Sequence, residues 1–298
     1  MLPPVVAGVD GSPESLAAAE WAAREAERRG CGLRLVHARD GFPRRGESSD
    51  AALRHLARRA LRRAEERVVE TCPEVRHDDE QVPGPATGAL LTASDRADLL
   101  VLGSRGLSGF TGFLVGSVAL GVIARATTPV VLVRADEQAG DSHVPAPDGS
   151  ASTRTPYRDV VLGLDVREAC DEVIEFAFEA ARLRDARLRV VHAWQQPSAF
   201  GLGPGDVALV DDPYRAEEWQ GFLSAVLRVW RDKYSEVPVL ETVVREKPAT
   251  ALVRAASEAS LLVVGHRLTD RPIGPRTGPV THAAVHHVSC PVAVVPHK

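Results

Sequence analysis

Short, continuous runs rich in Val and Leu punctuate the chain, and each of them recurs once. Val5-Val6-Ala7-Gly8-Val9-Asp10 returns as Val160-Val161-Leu162-Gly163-Leu164-Asp165, and Leu35-Val36-His37-Ala38 as Val190-Val191-His192-Ala193, both at an offset of 155 residues. Leu99-Leu100-Val101-Leu102-Gly103 returns as Leu261-Leu262-Val263-Val264-Gly265, and Thr128-Pro129-Val130-Val131-Leu132-Val133 as Cys290-Pro291-Val292-Ala293-Val294-Val295, at an offset of 162. Runs of this length without polar alternation suit parallel strands covered on both faces. Between them the period becomes helical. Ser12-Pro13-Glu14 carries a capping serine and a first-turn proline. Over 50–70, Leu53, Leu56, Ala57, Ala60, Ala64 and Val68 fall on one helical face. Strand and helix alternate through both units. The pattern predicts an α/β fold of two tandem, doubly wound, five-stranded parallel sheets of Rossmann-like type.

A length of 298 residues suits two such units. The domains are expected at 1–135 and 158–298, with a linker at 136–157 where Asp, Ser, Gly and Pro accumulate. The second unit carries an irregular insertion over 195–212, and loops of that length are commonly functional or disordered. Both fifth strands, Val130 to Val133 and Val292 to Val295, would end a sheet as bare apolar edges. They are expected to pair with each other as an intramolecular pseudo-dimer, with a homodimer of whole chains open through another surface.

Apolar content of 44% and charged content of 26% are those of a soluble globular protein, and a net charge of −4 argues against a general nucleic-acid binder. Lys233, Lys247 and Lys298 are the only lysines, so the first 232 residues offer no lysine to a phosphate or a reaction. Cys31, Cys72, Cys170 and Cys290 lie far apart, as reduced thiols rather than disulfides or a zinc site would. No stretch approaches the ~18 apolar residues of a membrane span, and the cytoplasm is the expected compartment.

Ligands of doubly wound sheets sit beyond the carboxyl ends of the strands, near the reversal of strand order. In the first unit that region holds Asp10, Ala38, Gly103-Ser104-Arg105-Gly106 and, nine residues on, Gly116-Ser117-Val118. Gly103 and Gly106 would let backbone amides approach an anion, and a helix beginning after Gly116-Ser117 would offer free N–H groups, with Arg105 as the cation. A glycine loop ahead of a capped helix fits the same residues. Asp10 fits either a nucleoside-binding carboxylate or a turn and capping residue.

With these residues in place, the chain resembles the universal stress protein family across nearly its whole length, as two domains in tandem. ATP-binding members of that family carry G-x2-G-x9-G-[S/T] after the fourth strand, and Gly103, Gly106, Gly116 and Ser117 match it without a gap. The resemblance implies a fold like that of the adenine nucleotide alpha hydrolases. It also implies that Asp10 and the Ala38 backbone hold adenosine, while Gly103, Gly106, Gly116, Ser117 and Val118 hold the phosphates of ATP, with or without Mg2+; Arg105 is the cation expected beside them. The second unit departs from the motif. Gly265-His266-Arg267 is followed by Leu268 where the motif requires glycine, and Gly278 by Pro279 instead of Ser or Thr. Pro279 removes an N–H donor and a hydroxyl together, so this second site reads as degenerate.

His282, His286, His287 and His266 have no carboxylate or thiol at matching spacing and read as surface histidines. Arg54, Arg58, Arg59, Arg62, Arg63 and Arg67, interleaved with Glu65, Glu66 and Glu70, read as a solvated helix face. The sequence lacks GxxxxGK[ST], an opening GxGxxG, GxSxG and HExxH. No catalytic residue is assigned. The expected function is nucleotide-dependent binding, with an unknown protein partner, in the stress-response role the resemblance implies. The rivals are a slow ATPase or phosphotransferase using Ser117, and a scaffold with purely structural ATP.

Overall fold

The computed structural model describes residues 2–39, 47–104, 115–195, 215–268 and 277–298, with the backbone alone over 47–53. The first half runs β1 (Val5–Gly8), α1 (Pro13–Arg29), β2 (Leu33–Arg39), α2 (Glu47–Thr71), β3 (His77–Pro83), α3 (Ala86–Ser94), β4 (Leu99–Ser104), α4 (Ser117–Ile123) and β5 (Val130–Arg134). The second repeats it as β6 (Val160–Gly163), α5 (Asp171–Arg182), β7 (Leu188–Trp194), α6 (Arg215–Lys233), β8 (Val239–Arg245), α7 (Pro248–Ala255), β9 (Leu261–Arg267), α8 (Pro279–His287) and β10 (Val292–His297). Of the insertion expected over 195–212, residues 196–212 lie outside the described residues. None of the described helices is long and apolar enough to cross a membrane.

All ten strands form one sheet, in the order β3-β2-β1-β4-β5-β10-β9-β6-β7-β8. Each half is parallel, and the two meet where β5 and β10 pair antiparallel. Val131 lies opposite Ala293 there, residues at the same place in the repeat, so a pseudo-two-fold axis passes between them. This is the fifth-strand pairing expected from the two apolar edges. Each face of the sheet carries one apolar core running through both halves. Trp21, Leu61, Phe178 and Leu223 lie on one face; Leu90, Ile123, Leu252 and Val285 lie on the other.

Two expectations shift in detail. Ala57, Ala60, Ala64 and Val68 of α2 are buried, but Leu56 is 57% exposed and Leu61 takes the inward place. Helix α4 begins one residue earlier than predicted, at Ser117, and runs to Ile123; beyond it the Arg125 amide bonds the Val122 carbonyl at 2.9 Å in a tighter i→i−3 turn.

Between β5 and β6 the chain makes a 3-10 turn, Ala139–Ser142, and an isolated antiparallel bridge between His143 and Tyr157, whose rings lie 3.9 Å apart. The Arg28 guanidinium donates to the Tyr157 hydroxyl at 3.0 Å, and Arg24 pairs with buried Glu137 at 2.9 Å, so this stretch is fastened to α1.

Beside the axis, Glu25 of α1 is fully buried against Arg184, which follows α5, at 2.7 Å, and also accepts from Arg28 at 2.9 Å and Arg29 at 2.8 Å. The repeat offset makes Arg29 the counterpart of Arg184 and Trp21 the counterpart of Phe176. Their contacts are reciprocal: Arg184 lies 5.8 Å over the Trp21 ring and Arg29 5.5 Å over Phe176. Burial acts to raise the Glu25 pKa, but the three guanidiniums outweigh it and hold the carboxyl far below its usual range. Burial, with Arg28 and Arg29 nearby, lowers Arg184 to about 10, against the pull of Glu25. Both partners are therefore charged at neutral pH.

Candidate functional site

In each half the strand order reverses once, between β1 and β4 and between β6 and β9. The carboxyl ends of these strands carry the residues singled out above. Asp10 follows β1, and its Oδ1 accepts from both the Ser12 amide at 2.9 Å and the Ser12 hydroxyl at 2.5 Å. The cap of α1 is Ser12 itself, which accepts from the Ser15 amide at 3.2 Å; Asp10 shapes the turn that presents it. Gly11 between them has φ +87°, a conformation that favours glycine. Burial would raise the Asp10 pKa, but the hydrogen bonds from Ser12 and Ser15 and the nearby His37 outweigh it, and the carboxyl titrates below its ordinary value. An exposed, ionised acceptor therefore stands at the reversal point.

Ala38 lies near the end of β2, beside His37, whose Nδ1 lies 2.8 Å from the Val9 carbonyl oxygen and so ties the end of β2 to that of β1. In the sequence this histidine stands out only as part of the repeated Val-His-Ala run. On the other side of β1, Gly103 lies in β4 against the start of α1. A Cβ on it would meet the Glu14 carbonyl carbon and oxygen at 2.5 and 2.6 Å. Close helix packing thus demands this glycine whatever binds. Gly116 is different. It caps α4 at φ −63° with no side-chain cap, and a Cβ there would meet nothing within 4 Å among the described residues. Ser117 and Val118 open the helix as exposed residues. Arg105 and Gly106 lie outside the described residues.

The second half repeats this frame with altered chemistry. Val166 stands where Gly11 does in the repeat, and the chain enters a 3-10 turn, Val166–Glu168. Arg167 then grips both oxygens of Asp165, at 3.2 and 3.0 Å, so the counterpart of Asp10 is occupied from within the chain. The Leu268 amide donates to the His297 carbonyl at 2.8 Å. Pro279 is the first residue of α8, after the cap Gly278.

One histidine reading needs correction. His266 is not a surface residue: it is 4% exposed, because it sits in β9 between covered faces of the sheet. His282 is exposed and its ring lies 4.3 Å from that of His286. Among the described residues no group of three or more His, Cys, Asp or Glu side chains is placed to hold a metal ion. The arginines of α2 are exposed, and Arg67 pairs with Glu20 of α1.

The universal stress protein family model matches residues 1–134 and 156–296. Universal stress protein Rv2623 of Mycobacterium tuberculosis is 32% identical over 302 residues, covering 97% of this chain and 95% of that protein. Universal stress protein Rv2005c of the same organism is 30% identical over 300 residues, covering 97% and 96%. Among solved structures, a universal stress protein from Archaeoglobus fulgidus superposes with a TM-score of 0.70 at 16% identity, covering 99% of this chain and 98% of its own. The last likeness concerns the fold; the family rests on the sequence matches, which extend over both halves. The chain belongs to the universal stress protein family and carries the family's domain twice.

Proposed function

We propose that the first half binds ATP, and that occupancy of this site alters the partners of the protein in a stress response, without turnover as its purpose. The observation that carries the reading is Gly116. No described residue packs closely enough to require a glycine there, and Ser, Asn or Asp would cap α4 better. A small residue leaves the first amides of the helix open on the side where the family motif receives phosphate. Ionised Asp10 supplies the acceptor for ribose or adenine across the reversal point.

In the second half the same reading fails at two places, because Asp165 is bound by Arg167 and Pro279 lacks an amide hydrogen. Calorimetric titration of the full chain with ATP is therefore expected to saturate at one equivalent, and Gly106→Leu to abolish binding while the protein stays folded. Two equivalent ATP sites, or unchanged affinity in a folded Gly106→Leu protein, would place the nucleotide elsewhere. ATP-dependent capture of a partner, with negligible phosphate release, separates this reading from the enzymatic one.

A further inference from the structure

The two ends of the sheet are not alike. At one end β3 is guarded: Asp78, Asp79 and Glu80 stand exposed in succession and Pro83 closes the strand, features that keep a bare edge from recruiting another strand. At the other end β8 has lost most of them. By the offset of 162 residues, Leu240 stands in the place of Asp78, Thr242 in that of Glu80 and Arg245 in that of Pro83. Leu240 is 39% exposed. An edge of this kind, rich in valine, without proline and with one carboxylate, is a template for a further strand.

The hydrogen bonds to β7 fix which main-chain groups that strand would meet. The Pro238 carbonyl accepts from the Leu188 amide of β7 at 2.8 Å. Along a strand the main-chain groups turn alternately to one side and the other. Those of Leu240, Thr242 and Val244 therefore turn to β7, and those of Glu241, Val243 and Arg245 turn away from it. Among the described residues no strand lies beyond them.

A second copy of this chain complements the edge about a two-fold axis at Val243. Laid antiparallel, Val243 exchanges two main-chain hydrogen bonds with Val243 of the second copy. Glu241 then falls opposite Arg245 of the second copy, and Arg245 opposite its Glu241, so that unlike charges meet at both ends. Bonds from Gln220 and Ser224 of α6, both 2.5 Å, hold the Glu241 carboxylate beside the edge. The same axis at Gln81, the counterpart of Val243 in β3, would set Asp79 opposite Pro83, which has no N–H to give. We propose that the chain forms a two-fold dimer through β8, with the sheet continuing from one copy into the other. The inference rests on this edge and is independent of nucleotide in either half.

The test is sedimentation velocity of the full chain over a range of concentrations, repeated on Val243→Pro and Arg245→Glu. Proline at 243 deletes an outward N–H and leaves the ladder to β7 whole. Glutamate at 245, an exposed position, sets a carboxylate against Glu241 of the second copy. Thermal unfolding verifies that each variant is folded; if proline unfolds the chain, Arg245→Glu decides alone. The unaltered chain is expected to sediment as a dimer, and each folded variant to raise the dissociation constant at least about tenfold, as the loss of two main-chain hydrogen bonds or of two charge pairs would. A chain that stays monomeric at every concentration, or a dimer that no folded variant weakens, would overturn the proposal.

Discussion

Gly103 and Gly116 belong to one motif but answer to different demands, and substitution separates them. A methyl group on Gly103 collides with the Glu14 backbone, so Gly103→Ala is expected to destabilise the fold by about 1–3 kcal/mol, as overpacking does. Gly116→Ala meets none of the described residues and costs about 1 kcal/mol or less as a poorer cap, yet it should weaken ATP binding measurably. Urea unfolding and calorimetry on both variants check the pair. Glu137 gives a second test at this scale. Burial pushes its carboxyl up to about 7, with Arg24 opposing and Asp141 reinforcing the shift. The ion pair with Arg24 restores only part of the lost hydration, so the group titrates near neutrality despite its 2.9 Å partner. A carboxyl raised in the folded state stabilises most below its unfolded pKa, and that contribution is lost as pH rises to about 7. The shift corresponds to on the order of 3 kcal/mol. Glu137→Gln is expected to flatten the fall in the urea midpoint between pH 5 and 7; an unchanged slope would refute the assignment.

At the scale of elements, helix α1 connects the site to the seam. Its amino end carries Ser12 and packs on Gly103, and near its carboxyl end Glu25 reaches Arg184 of the other half. Glu25→Ala would leave three guanidiniums around an empty place and is expected to cost about 3–5 kcal/mol, as broken buried pairs do. Glu25→Leu combined with Arg184→Met should cost far less, since both buried charges go together. Denaturant unfolding of the single and double variants checks the coupling. The first, second, fourth and fifth strands of each half were legible because burial on both faces leaves apolar runs; β3 and β8, at the two ends of the sheet, are more polar and more exposed and left no such run. The Glu25–Arg184 pair was not, because the partners lie 159 residues apart and nothing local marks either. The offset of 155 held a clue in Arg29 and Arg184, and in Trp21 and Phe176, equivalent residues that contact across the axis. The cavity beyond the carboxyl ends of β6, β7 and β9, lined in part by Trp194 and Trp219, was hidden for another reason. Those two residues come from β7 and from α6, on either side of the insertion, and belong to no motif in the chain.

For the whole molecule, the antiparallel contact of β5 with β10 is decisive. Val131 and Val294 are 0% and 2% exposed, one on each covered face of the sheet at the seam. Replacing both with lysine buries two charges without partners, and the halves are expected to part, remaining joined only by the chain between β5 and β6. Small-angle scattering should then report a larger radius of gyration; a particle of unchanged size would show that the remaining contacts suffice. Near that seam, the fully buried Ala180 stands where symmetry would place a second Glu25, so one carboxylate serves Arg29 and Arg184 alike. A true homodimer of first halves would set two such carboxylates close together. Joining the halves in one polypeptide removes that constraint and makes their association independent of dilution. Each half is then free to diverge from the other without loss of the shared seam.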